Sequence, residues 1–286
     1  MFRKFNTRSS YLTGGLAAAA VAAVTLALGA TASAVDSATS DTTAASTKPT
    51  VVLVHGAWAD ASSFAPVTKQ LQEDGYTVLN APNPLRGLAS DAANVAAFIT
   101  QHTVGPVVLV GHSYGGAVIT EAAGKTTTVQ ALVYVNAYAP DEGESVIQLT
   151  GTRPGSLLAV PDPSTVFDFV QYPGAAPGDV DTYVKTSLFR KVMAAHLPAA
   201  QADVLAVSQR PVALSALTAP ATAAAWKTIR SYFLVGTTDN AIPVALQRDM
   251  AERADGVVTE LRADHLSMLE APHEVTKLIE KAATDR

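Results

Sequence analysis

The run Val107–Gly111 (VVLVG), continued by His112-Ser113-Tyr114-Gly115, constrains this chain more than any other feature. Four aliphatic residues in a row, with no polar alternation, describe a strand buried on both faces, as in a parallel sheet covered by helices. Small and apolar residues from Gly115 to Gly124 then read as a helix. The strand must therefore turn into a helix within two residues of Ser113. A turn that sharp leaves no room for a Cβ on either flank, which accounts for Gly111 and Gly115, and it strains the serine backbone so that the hydroxyl stands clear of the sheet edge. The helix start behind it favours negative charge forming at that point. Ser113 is the predicted nucleophile.

Strand and helix patterns alternate around this turn. Strands are expected at Thr50–His55, Thr77–Asn80, Pro106–Gly111, Val129–Asn136, Ile229–Gly236 and Val257–Arg262. Helices are expected at Ser62–Asp74, Asp91–Gln101, Gly115–Gly124, Pro243–Ala254 and His273–Ala283. This alternation implies an α/β fold: a mostly parallel, doubly wound sheet with helices on both faces. It breaks between about residues 140 and 225, where Pro and Gly are frequent. Short helical pieces are expected there at Ser164–Tyr172, Val180–Leu188 and Ala200–Ser208. So long an interruption exceeds an ordinary loop and reads as an inserted helical cap over the C-terminal edge of the sheet.

The N-terminal end has a different character. Arg3, Lys4 and Arg8 precede an apolar run from about Leu16 to Ala30, and Ala32-Ser33-Ala34 follows. This is the pattern of a secretory signal over residues 1–34, with cleavage after Ala34 and no stable membrane anchor once it is removed. Residues 35–48 are Ser, Thr, Ala and Asp with little to bury, a disordered leader. Residues 49–286 form the domain, long enough to build a core without disulfides, and the chain has no cysteine. That absence also excludes thiol nucleophiles and thiolate metal sites. The net charge is −5, and three of the basic residues lie in the signal. An acidic domain without a Lys/Arg cluster excludes nucleic acid as a partner.

A serine hydroxyl needs a base. Of six histidines, His265 lies just beyond the strand Val257–Arg262, on the sheet edge where Ser113 emerges. His112, inside the turn, is expected to point away from the serine's side, and His102 and His196 are expected at the surface. The base needs a carboxylate on its far nitrogen to fix its tautomer. Asp239, after the strand Ile229–Gly236, suits that role and keeps the order Ser, Asp, His. Asp264 and Asp141 are its rivals. Oxyanion donors are expected from the backbone N–H groups of Tyr114 and Ala57, with Gly56 allowing backbone to approach the substrate. Trp58 and Tyr138, with cap residues such as Leu157, Leu158, Phe167, Phe169 and Phe189, are candidates for an apolar substrate wall. No phosphate loop, His-Glu-x-x-His or other His/acid cluster with metal spacing occurs, so neither cofactor nor metal is expected.

In this order, His55-Gly-Ala-Trp58, Gly111-His-Ser-Tyr-Gly-Gly116, Gly236-Thr-Thr-Asp239 and Ala263-Asp-His-Leu-Ser-Met-Leu269 resemble the α/β-hydrolase superfamily. Within it they are similar to the small-capped carboxylesterase branch that also holds plant methylesterases and hydroxynitrile lyases. The resemblance implies a Ser113–His265–Asp239 triad, no cofactor, and hydrolysis of a small-molecule ester through an acyl-enzyme. The related lyases carry a threonine where this chain has Gly56, and a lysine after the catalytic histidine where it has Leu266. Both differences argue against cyanide elimination. Ser113 excludes the relatives whose nucleophile is an aspartate. Hydroxynitrile lyase-like activity, cofactor-free haloperoxidase-like activity and a non-catalytic binding protein on the same scaffold are the alternatives.

Overall fold

The computed structural model describes residues 48–285. The expected signal segment, and all but the last residue of the expected leader, lie outside the described residues. The chain begins with β1 (Thr50–Val54), α1 (Ala65–Glu73), β2 (Val78–Asn80), α2 (Leu88–His102), β3 (Val107–Ser113), α3 (Tyr114–Ala123) and β4 (Val129–Ala137). The intervening segment holds α4 (Val146–Thr150), β5 (Phe167–Val170), β6 (Asp181–Val184), α5 (Thr186–Met193), α6 (Ala199–Val207), β7 (Val212–Ala213) and α7 (Leu214–Thr218). The sheet resumes with β8 (Ser231–Gly236), α8 (Val244–Arg253), β9 (Val257–Leu261), α9 (Ser267–Glu270) and α10 (Pro272–Thr284).

Six strands pair in the order β2-β1-β3-β4-β8-β9, every pair parallel. The chain steps outward from β1 to β2 and returns to place β3 on the other side of β1. Right-handed crossovers then set α1 and α2 on opposite faces of the sheet. Central strands β1 and β3 are buried at every residue, while the edge strand β9 alternates between half-buried and exposed. The uninterrupted aliphatic run of β3 is the direct consequence of its central place. All ten residues of α3 are buried as well, so its Gly and Ala content reflects close packing against the sheet. The order reverses between β1 and β3, and the C-terminal ends of those two strands flank the crevice where α/β sheets bind ligands.

The inserted segment departs from expectation in two places. Ser164–Tyr172 and Val180–Leu188, expected as helical pieces, contain strands β5 and β6. These pair antiparallel, Phe167 opposite Val184 and Val170 opposite Asp181, and β7 joins on the far side of β6. The physical reason is local. Pro163, Pro173, Gly174, Pro177 and Gly178 interrupt any helix. What lies between them is rich in aromatic and β-branched residues, which suit a pleated, half-buried surface. The third expected piece is helix α6. The cap is therefore a small antiparallel sheet flanked by short helices.

Candidate active site

Ser113 ends β3 with φ 52° and ψ −124°, a left-handed conformation a serine rarely adopts, and α3 starts at the next residue. The turn is as tight as its glycines imply: a Cβ on Gly115 would lie 2.5 Å from the Val54 carbonyl oxygen, and one on Gly111 2.6 Å from that of Gly115. Strain of this kind persists where surrounding packing over-determines it.

His265 follows β9 on the loop into α9, and its Nε2 lies 2.9 Å from Ser113 Oγ. Its Nδ1 lies 3.0 Å from Asp239 Oδ2, and both side chains are buried. A carboxylate only accepts, so Nδ1 carries the proton and the Nε2 lone pair faces the Ser113 hydroxyl. Asp239 receives four further hydrogen bonds. Ala241 and Ile242 N–H donate to Oδ1 at 2.8 and 3.0 Å, while Asn136 Nδ2 and Gln247 Nε2 donate to Oδ2 at 3.0 and 2.9 Å. These donors satisfy both oxygens of the buried side chain and fix its orientation. The two rivals lie elsewhere. Asp141 pairs with Lys227 at 2.5 Å. Asp264 turns toward the cap and accepts the His196 N–H at 2.7 Å.

Asn136 and Gln247 carry no sequence signal beyond position, Asn136 being the last residue of a predicted strand. Asn136 also donates to the Asp264 carbonyl at 3.1 Å and accepts from Ser267 Oγ at 2.6 Å, tying β4 to both ends of the His265 loop. His112 is likewise part of the site. Its ring lies against that of His265, centroids 4.7 Å apart, and its Nε2–H donates to the His265 carbonyl at 2.9 Å. Burial pushes the His112 imidazolium pKa well down, so the ring is neutral. His196 Nδ1 lies 2.8 Å from Glu270 Oε1, and their ligating atoms and those of Asp264 all fall within 4.8 Å of one another. Residues too scattered in sequence to suggest a cluster thus meet where the cap touches the His265 loop. Burial, opposed by the His196 N–H and reinforced by the charge of Glu270, pushes the Asp264 carboxyl up to about 6.

Ser113 opens into a cavity of about 640 Å³ between the sheet edge and the cap, within the usual size range for small-molecule sites. Ala57, Trp58, Tyr114 and Tyr138 line it, as do Leu158, Phe167 and Phe169 from the cap, and no ionisable acid, Lys, Arg or His is among its lining residues. Leu157 and Phe189 are not on that wall; Phe189 is buried in the core instead. Gly56 is not on it either. A Cβ there would meet Ser113 Cβ at 2.7 Å and the His112 carbonyl oxygen at 2.9 Å. Its small size therefore serves the contact between the β1 loop and the serine turn. Neither the Ala57 nor the Tyr114 N–H has a protein acceptor among the described residues. Tyr114 sends its own hydroxyl the other way, to the buried Asp91 at 2.8 Å.

Comparison with known proteins agrees with this fold. Residues 51–278 match the model of the alpha/beta hydrolase family. An alpha/beta hydrolase, nvfD, of Aspergillus novofumigatus is 28% identical over 82% of this chain and 97% of its own length. A carbendazim hydrolyzing esterase of Nocardioides is 33% identical over 34% of this chain, and the match spans less than half of that relative, 46%. Among solved structures, an extracellular alpha/beta-hydrolase from a Paenibacillus species is 23% identical. It superposes with a TM-score of 0.66 over 83% of this chain and all of its own, which is a likeness of fold. The chain belongs to the alpha/beta hydrolase family.

Proposed function

We propose that this protein is a serine esterase that hydrolyses uncharged carboxylic esters through an acyl-enzyme on Ser113. His265 takes the hydroxyl proton as Oγ attacks the ester carbonyl, then returns it to the leaving alcohol. The same histidine activates the water that releases the acid. Asp239 holds the imidazole in the required tautomer and stabilises the imidazolium. The backbone N–H groups of Ala57 and Tyr114 receive the oxyanion, and Trp58 and Tyr138 wall the substrate.

The observation that carries this reading is the continuous hydrogen-bonded chain from Asp239 through His265 to Ser113, with the serine facing an apolar cavity. Leu266, buried where a lyase would need a cation, gives departing cyanide no partner. The relatives named hydrolase and esterase support the same reaction class. The basic start, apolar run and Ala32-Ser33-Ala34 support export from the cell, which N-terminal sequencing of secreted protein beginning at Val35 would test.

A fluorophosphonate probe should label the wild type at Ser113 and leave Ser113→Ala unlabelled. Labelling that survives the substitution would overturn the nucleophile. A panel of p-nitrophenyl esters, lactones, amides and mandelonitrile then reads the reaction class, with turnover expected on uncharged esters.

A further inference from the structure

Two consecutive residues of the cap strand β6 reach the two oxyanion donors by separate routes. On one side, the Trp58 indole Nε1–H donates to the Thr182 carbonyl at 3.0 Å, with Thr182 Oγ1 at 3.3 Å. The Trp58 ring also lies 5.4 Å from that of Phe167 in β5. Trp58 directly follows Ala57 and has φ 56°, a conformation that is a clear outlier for so bulky a residue. A strained backbone needs something to hold it, and here the holding contacts come from the cap.

On the other side, the Asp181 carboxylate, buried beside Thr182, pairs with the Arg86 guanidinium. The backbone N–H groups of Arg86 and Gly87 donate to the Asp91 carboxylate at 3.1–3.2 and 3.4 Å. Asp91 in turn accepts the Tyr114 hydroxyl. The loop that carries Arg86 is strained as well, with Leu85 at φ 62°, and a second cap strand holds it: Ala213 N–H in β7 donates to the Leu85 carbonyl at 2.9 Å.

We propose that the cap sheet sets the oxyanion hole from both sides, through Thr182 to Trp58 and Ala57, and through Asp181 to Arg86, Asp91 and Tyr114. Trp58 and Asp181 are thus positioning residues, and the cap does more than enclose substrate. The inference rests on the esterase reading above. Its physical basis is that an oxyanion donor acts only when aimed at the place where charge develops, and a small displacement of a backbone N–H forfeits much of its effect.

The test compares wild type, Trp58→Phe, Asp181→Ala and the double variant. Trp58→Phe keeps an aromatic wall and removes the N–H. Asp181→Asn replaces Asp181→Ala if the latter does not fold by circular dichroism. Each single variant should lower kcat on a p-nitrophenyl ester on the order of 10-fold with KM within about 2-fold, the signature of a contact made in the transition state alone. The preference for a trifluoromethyl ketone over its methyl ketone counterpart should fall in the same proportion, because only the former forms a stable tetrahedral oxyanion. In the double variant the loss should exceed either single loss, since each substitution acts on a different donor. A rise in KM with kcat retained, or an unchanged ketone preference, would make Trp58 a wall and nothing more and Asp181 a simple clasp, and would overturn the proposal. Failure of the esterase reading is read separately, from wild type that neither turns over esters nor takes the fluorophosphonate.

Discussion

Asn136 donates its side-chain amide to Asp239 Oδ2 at 3.0 Å, the same oxygen that faces His265 Nδ1. Through that one contact, the end of β4 fixes the orientation of the carboxylate that orients the proposed base. Gln247 braces the same oxygen from α8 at 2.9 Å. Asp239 is thereby held from both flanking elements, with Oδ2 kept facing His265 Nδ1.

Asn136→Ala removes the donor to Asp239 and leaves the Asp264 carbonyl and the Ser267 hydroxyl without their partner. The expected result is a fall in kcat on the order of 10-fold and a loss of about 1–3 kcal/mol of stability, the usual size for buried polar groups left unpaired. Ester hydrolysis and urea denaturation measure the two. Unchanged turnover would mean that Gln247 and the Ala241 and Ile242 N–H groups suffice to orient Asp239.

Gly56→Ala should be far more damaging than a surface Gly→Ala change. The new methyl would press on Ser113 Cβ and on the His112 backbone carbonyl, and neither can swing away as a flexible side chain would. Overpacking of this kind costs about 1–3 kcal/mol or more. Here the strain falls on the proposed nucleophile, so fluorophosphonate labelling should slow by on the order of 10²-fold even if the variant folds. Labelling at the wild-type rate would show that the turn relaxes without cost.

His112→Phe keeps an aromatic ring, though a larger one, and deprives the His265 carbonyl of its donor. A loss of about 1–3 kcal/mol is expected in urea titration at pH 8. His112 also has a pH signature. Its folded pKa lies well below that of a free imidazole, so the unfolded chain binds the extra proton, and stability falls as pH drops below about 6.5. The variant should lose that part of the acid destabilisation, and identical slopes in both proteins would refute the assignment.

Asp264 acts in the opposite sense. Its folded carboxyl is raised to about 6 from an ordinary value of 3.8, so between those values the folded state holds the extra proton. Its ionisation therefore costs stability as pH rises through that window, and protonation restores it as pH falls. Asp264→Asn keeps an acceptor for the His196 N–H and should remove this contribution, making the variant relatively more stable above pH 6 than below 4. Thermal melts across that range, set beside wild type, give the sign directly.

The serine turn and the sheet are legible in the sequence because their causes are local. A residue that leaves a buried strand for a helix within two positions needs glycine on both sides, and a central parallel strand needs an unbroken aliphatic run. Ser113, β1, β3, β4 and β8 follow from that, and His265 and Asp239 follow from their places after parallel strands. The serine turn, taken with the His55–Trp58, Gly236–Asp239 and Ala263–Leu269 motifs, also carries the family resemblance.

Tertiary structure alone decided the rest, because the deciding contacts join residues distant along the chain. Asn136 meets Asp239, His112 meets the His265 carbonyl, and Trp58 meets Thr182, across 103, 153 and 124 positions. The cap misled a periodicity reading for a related reason: strands of four residues between Pro and Gly show too few repeats to declare their period, and they are strands because they pair with each other. Gly56 shows both sides at once. Its need for a missing Cβ is evident from the motif, but the atom that would collide is Ser113 itself, which only the folding of the β1 loop against the end of β3 brings there.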